Sequence, residues 1–165
     1  MPQIAYLSLG SNVGDREKNL RAAISRLGQN ALGHVVSTSP FYETEPVEFT
    51  DQAWFLNAVV AFETDATPEQ LMRSLLTTEQ EMGRTRTQKK GPRTIDIDIL
   101  LFGDAVIDSP DLTIPHLAMP ERRFVLAPLA EIAPEAQHPV LKKTVQEMLD
   151  ALPPGQVVRK ISVSY

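Results

Sequence analysis

Two aspartates, Asp96 and Asp98, sit in one of the most apolar stretches of this 165-residue chain, within Gly91-Pro92-Arg93-Thr94-Ile95-Asp96-Ile97-Asp98-Ile99-Leu100-Leu101-Phe102-Gly103. Ile95, Ile97 and Ile99 alternate with them, and period-2 alternation of β-branched residues predicts a strand with both carboxylates on one face. Strand geometry then spaces them roughly 6–7 Å apart. Unpaired carboxylates are costly to bury, and two at that distance repel. A hard divalent cation removes both penalties, and Mg²⁺ takes one or two carboxylates plus phosphate oxygens. Metal-assisted phosphate chemistry is therefore the first expectation. The plain alternative is an edge strand whose polar face is wet.

A basic run lies just before this strand. From Arg84 to Arg93 five residues are basic (Arg84, Arg86, Lys89, Lys90, Arg93) and none is acidic, although the whole chain carries −5. One cationic loop on an acidic body suits a small polyanion such as a nucleoside triphosphate better than a nucleic acid, which calls for a broad basic face. A solvated charge run is the competing reading. The loop has a permissive glycine, Gly83, at one end and stiff Gly91-Pro92 at the other. Mutual repulsion of its cations predicts closure only over a bound anion.

The bulk numbers bound the rest. Apolar content of 42% and charged content of 22% are those of an ordinary globular protein, and the length fits one domain spanning 1–165. No apolar stretch is long enough to span a membrane and no leader pattern opens the chain, so a cytoplasmic protein is expected. With no cysteine there are no disulfides, thiolate nucleophiles or Cys-ligated metals, and His34, His116 and His138 lack zinc-ligand spacing.

The elements that must position these residues read in order. Residues 3–9 predict a strand with Ile4, Tyr6 and Ser8 on one face and Ala5, Leu7 and Leu9 on the other. Gly10-Ser11-Asn12-Val13-Gly14-Asp15 is turn chemistry, and Asp15 can cap a following helix carrying Leu20, Ala23, Ile24 and Leu27. A strand over about 34–42, a loop over 43–53 and a strand over 54–64 follow. Thr67, Pro68 and Gln70 form a capping-box start for a second helix with Leu71, Met72, Leu75, Leu76 and Met82 as its buried face. Short strands near 105–107 and 112–114, helices over 123–131 and 144–152, and a strand over 157–163 complete the chain. The β-α-β-β-α-β order predicts an α+β, ferredoxin-like split βαβ fold: an antiparallel sheet with helices on both faces and extra C-terminal elements. That fold hosts many functions.

Several segments together resemble the 6-hydroxymethyl-7,8-dihydropterin pyrophosphokinase family of folate biosynthesis. They are Leu9-Gly10-Ser11-Asn12, Ser39-Pro40-Phe41-Tyr42-Glu43-Thr44, Phe55-Leu56-Asn57-Ala58, Glu79 with Gly83-Arg84-Thr85-Arg86, the Gly91 to Asp98 run, and Pro115-His116. The resemblance implies transfer of the two terminal phosphates of ATP, as one unit, to the hydroxymethyl group of the reduced pterin, leaving AMP. It implies two Mg²⁺ ions held by Asp96 and Asp98, with Arg84 and Arg93 on the phosphates. ATP is further held, on the same resemblance, by Glu79, Arg86, Ile99, Thr113, His116 and Arg122. Thr44, Val47, Phe55, Asn57 and Phe124, with Asp96, would form the pterin pocket. Neither nucleic acid nor membrane is expected as a partner, and a monomer is implied.

Each residue also has an ordinary reading. Phe55 and Phe124 can be core residues, His116 a turn residue and Glu79 a solvated charge. Asn57 inside an apolar strand is harder to explain, because a buried amide needs partners. The chain departs from the family pattern at Lys90 (often Trp), Leu117 (often Tyr), Asp111 (where a basic residue can stand) and Glu45 (often Pro). Two other functions remain open at this stage. One is a catalytically silent module that binds nucleotide or pterin. The other is an RNA-binding domain of the same topology, against which the acidic charge and missing aromatic strand motif weigh.

Overall fold

The computed structural model describes residues 2–45, 54–83, 94–155 and 157–164. Its centre is β1 (Gln3–Ser11), whose inward alternation is as expected. On one side it pairs antiparallel with β4 (Phe55–Thr64), and on the other with β5 (Asp96–Phe102). Beyond β4 lie β2 (Gly33–Thr38) and β3 (Pro40–Thr44), which share its far edge, and β8 (Val158–Ser164) adds to β3. The order β5-β1-β4-β3-β8, all antiparallel, is the ferredoxin-like arrangement with an added strand.

Two apolar layers hold the sheet. Ala5, Leu7, Leu9, Ile97 and Ile99 pack with α1 (Arg16–Gly28) and α2 (Pro68–Glu81) on one face. Val59, Leu100 and Leu101 pack with Val125, Leu126 and Leu129 of α3 (Arg123–Ile132) and Met148 of α4 (Val145–Asp150) on the other. The predicted caps form: Asp15 accepts from Lys18 N–H, and Thr67 and Gln70 close a reciprocal capping box at α2. Gly83, just past the α2 C-terminus, adopts φ +85°, which glycine tolerates best.

Three differences from the sequence reading have physical reasons. The strand expected over about 34–42 is broken at Ser39, whose buried hydroxyl accepts from Val59 N–H at 2.9 Å and takes over the ladder bond there. The chain then continues as β3 to Thr44, so the expected loop starts later. In β5 a register shift sets Leu100 and Leu101 against Tyr6, and both leucines thereby reach the α3 layer.

Candidate active site

The pairing register fixes the site. Gly10 of β1 lies opposite Asp96 on one side and Asn57 on the other, and Asn57 lies opposite Tyr42 of β3. Directly paired residues share a face, so Asp96, Gly10, Asn57 and Tyr42 form one row across four strands. One step along, Asp98 pairs with Ser8. One step the other way, Thr44 pairs with Phe55. Both expected aspartates therefore leave the α3 face together, and with them Phe55, Asn57 and Thr44. Two strand spacings put the Asp96 and Asn57 backbones about 10 Å apart.

Gly10 makes room in the middle of this row. A Cβ there would lie 2.8 Å from Asn57 Nδ2 and 3.6 Å from a ring carbon of Phe55. Asn57 is only 4% exposed, and Thr44 Oγ1 donates to its Oδ1 at 2.6 Å. That bond fixes the amide orientation and aims Nδ2 across Gly10 toward the carboxylate side. Asn57 can thus offer a donor to a flat ligand lying over Gly10, beside the half-buried ring of Phe55.

A cleft of about 540 Å³ opens along the outer edge of β5. It is bounded by α2 on one side and on the other by Asp111, Leu112 and the start of β7 (Thr113–Ile114, paired with β6, Ile107–Asp108) with the turn after it. It brings together Glu79, Asp96, Asp98, Ile99, Thr113 and His116, each expected at a nucleotide or metal site. Met72 and Leu76, expected in the core, are half-buried and line its wall, Met72 while also packing against the core.

Two contacts shape the β5 edge. Glu79, 2% exposed, accepts from Ile97 N–H at 2.7 Å, giving an outward backbone donor a charged partner. It is therefore no solvated charge: it braces the strand between the two aspartates. His116 N–H donates to Leu100 O at 2.9 Å, pinning the turn after the cis Ile114–Pro115 bond to the same edge. His116 Nδ1 accepts from Ala118 N–H at 3.2 Å, so the ring proton sits on Nε2. Burial and the Arg122 guanidinium push its pKa below the usual imidazole value, against an upward pull from Asp96. His116 is thus a neutral Nε2–H donor at the cleft.

Arg122 is not on the cleft wall. It follows a short 3-10 helix (Met119–Glu121) and lies 5.4 Å over the ring of Phe124, whose body packs on the α3-side core. Phe124 sits in the first turn of α3, the layer that faces the Asn57 row. Arg84, Arg86, Arg93 and Val47, and the expected closing loop, lie outside the described residues. Of the departures, Leu117 and Asp111 both line the cleft, Leu117 being 85% exposed, and Glu45 accepts from Val157 N–H at 2.7 Å.

Gly10 as a contact and Glu79 as a brace were not read from the sequence as such. Glu79 carried a signal, since it falls four residues after Leu75 and eight after Leu71, on the buried stripe. Gly10 carried none beyond turn chemistry.

Asp96 and Asp98 would offer hard oxygen ligands, and among the described residues His116 is the single imidazole lining the same cleft. Among the described residues no group of three or more His, Cys, Asp or Glu is close enough to hold an ion alone. Such a donor set fits Mg²⁺, which draws its remaining ligands from phosphate and water, and does not fit structural zinc.

Known proteins resemble this chain over most of its length. A family model described as 7,8-dihydro-6-hydroxymethylpterin-pyrophosphokinase matches residues 6–134. The 2-amino-4-hydroxy-6-hydroxymethyldihydropteridine pyrophosphokinase of Bacillus subtilis is 49% identical over 137 residues, covering 83% of this chain and 82% of the relative. That of Methylorubrum extorquens is 44% identical over 155 residues, covering 94% and 97%. Folic acid synthesis protein fol1 of Schizosaccharomyces pombe is 48% identical over 151 residues, but the chain spans only 21% of its length. The fold of Plasmodium falciparum HPPK-DHPS crystallised with pteroate superposes with a TM-score of 0.74 at 20% identity, over 91% of this chain and 42% of that one. The chain therefore belongs to the 7,8-dihydro-6-hydroxymethylpterin-pyrophosphokinase family.

Proposed function

We propose that this chain transfers the β,γ-diphosphate of ATP to the hydroxymethyl group of 6-hydroxymethyl-7,8-dihydropterin, releasing AMP, with the reaction centred on Asp96 and Asp98. The observation that carries this reading is the Asp96–Gly10–Asn57 row. It sets a carboxylate shared with the nucleotide-sized cleft about two strands from a buried amide suited to a pterin edge.

The apolar wall of Leu75, Leu76, Leu112 and Ile99 suits the adenine, and His116 Nε2–H suits a phosphate oxygen. Asp96 and Asp98 hold Mg²⁺, which when bound neutralises charge on the triphosphate. Asn57 Nδ2 and Phe55 orient the pterin so that its hydroxyl oxygen faces the β-phosphorus. That oxygen bonds to phosphorus as the bond to the α–β bridging oxygen breaks; AMP leaves with the electron pair, and the hydroxyl proton passes to water. Transfer of this kind runs chiefly on positioning and charge stabilisation. Arg84, Arg86 and Arg93 are assigned to the phosphates and Val47 and Phe124 to the pterin side by family resemblance. No helix among the described residues is long and apolar enough to cross a membrane. We also assign a cytoplasmic location and, by family resemblance, a monomer, whose oligomeric state gel filtration checks.

The direct test is to incubate the protein with ATP, Mg²⁺ and the hydroxymethyl dihydropterin and identify the nucleotide released. AMP is expected. ADP would mark an ordinary kinase, and neither product a binding module; each overturns the proposal.

A further inference from the structure

Behind the pterin wall, on the opposite face of the sheet, lies an ionic cluster with no role in the reading above. Glu43 is the residue before Thr44, so its side chain leaves the other face of β3, in register with Leu56 on β4 and Arg159 on β8. Arg16, the first residue of α1, donates from one guanidinium nitrogen to Glu43 Oε2 at 2.8 Å and from the other to the Trp54 carbonyl at 2.9 Å. Arg159 donates to Glu43 Oε1 at 2.6 Å, and its guanidinium lies 5.0 Å over the Trp54 ring. Both carboxylate oxygens are thus engaged, each by a different arginine. The Arg16 hydrogen bond foremost, and Arg159 after it, hold the carboxyl below the usual carboxylate range although burial pulls the other way.

The cluster ties four elements at one point. Glu43 and Trp54 each immediately precede a residue of the proposed pterin wall, Thr44 and Phe55, and those two are paired with each other. The wall's central bond, Thr44 Oγ1 to Asn57 Oδ1 at 2.6 Å, works only if β3 and β4 keep this register to a few tenths of an ångström. Two arginines converging on one partly buried carboxylate form a stiffer link than a lone surface pair.

We infer that Glu43, clamped by Arg16 and Arg159, is a positioning residue for pterin recognition: it fixes β3 against the start of β4 so that Thr44 presents the Asn57 amide to the substrate. The inference rests on the pterin-wall reading of Thr44, Phe55 and Asn57. Arg16 carries more of the effect than Arg159, because it also holds the Trp54 backbone and is the less exposed of the two.

The test compares Glu43→Ala, Glu43→Gln, Arg16→Ala and Arg159→Ala with Asn57→Ala. Steady-state kinetics are measured against each substrate, and pterin binding is titrated in the presence of a non-hydrolysable ATP analogue. Glu43→Ala and Arg16→Ala are expected to raise the pterin KM and Kd about 3- to 10-fold, the worth of one net hydrogen bond, with kcat and ATP affinity within about twofold. Glu43→Gln, which retains an acceptor, should recover part of the loss, and Arg159→Ala should show the smaller shift. If Glu43→Ala fails to fold, Arg16→Ala and Glu43→Gln carry the test. Unchanged pterin affinity in folded Arg16→Ala and Glu43→Gln, or an equal loss for both substrates, overturns the clamp. Unchanged pterin affinity in Asn57→Ala overturns the wall reading instead.

Discussion

Gly10 shows how little of a site one residue letter reveals. Its place in Leu9-Gly10-Ser11-Asn12 reads as turn chemistry, yet in the structure it is a strand residue whose missing side chain lets Asn57 lie across it. An added methyl group would lie 2.8 Å from Asn57 Nδ2, closer than real Cβ contacts come. Gly10→Ala should therefore displace the amide, destabilise the fold by about 1–3 kcal/mol and weaken pterin binding while sparing ATP. Urea denaturation and paired calorimetric titrations check this, and equal loss for both ligands would place Asn57 elsewhere. The Asp96/Asp98 pair was legible because alternation with isoleucine is a purely local signal. The Thr44–Asn57 bond was not, because it depends on which strand lies beside which.

At the scale of elements, β5 is an outer strand whose exposed edge could invite non-native pairing, and α2 and the 116 turn cover it. Glu79 is central to that cover. Glu79→Ala leaves the Ile97 N–H buried without its acceptor and should cost about 1–3 kcal/mol, whereas Glu79→Gln keeps an oxygen in place and should cost less. Chemical denaturation of both variants decides it; equal losses would mean that the charge, not the hydrogen bond, matters. The helices were readable from caps and apolar period, and α1 and α2 begin where Asp15 and Thr67 place them. The break at Ser39 and the shift at Leu100–Leu101 were not, since both arise from bonds to or packing against distant strands and helices.

For the whole molecule, acid should be felt far from the reaction centre. His138 is 6% exposed, and its Nδ1 accepts from both Val140 N–H and Leu141 N–H, at 3.2 and 3.0 Å. Burial holds its pKa below the ordinary imidazole value of 6.5. The unfolded chain therefore takes up the proton first, so stability is full above about pH 6.5 and falls as the pH drops below it. Denaturation at a series of pH values should show that decline, and His138→Gln should reduce it, leaving the share of His116, which is lowered in the same direction; an unchanged slope would exclude His138 as a source. The ferredoxin-like order of the sheet was legible from the sequence of elements. The ionic cluster of Arg16, Glu43 and Arg159 was not, because its bonded pairs lie 27 and 116 residues apart. The central claim is that Asp96 and Asp98 together hold the ions on which diphosphate transfer depends. Asp96→Ala and Asp98→Ala, assayed for AMP formation with circular dichroism confirming the fold, test it most directly. Each variant should remain folded and lose at least about a hundredfold in turnover, since the bound ion supplies several kcal/mol of charge stabilisation. Near-normal AMP formation by either folded variant at ordinary Mg²⁺ concentration would contradict it.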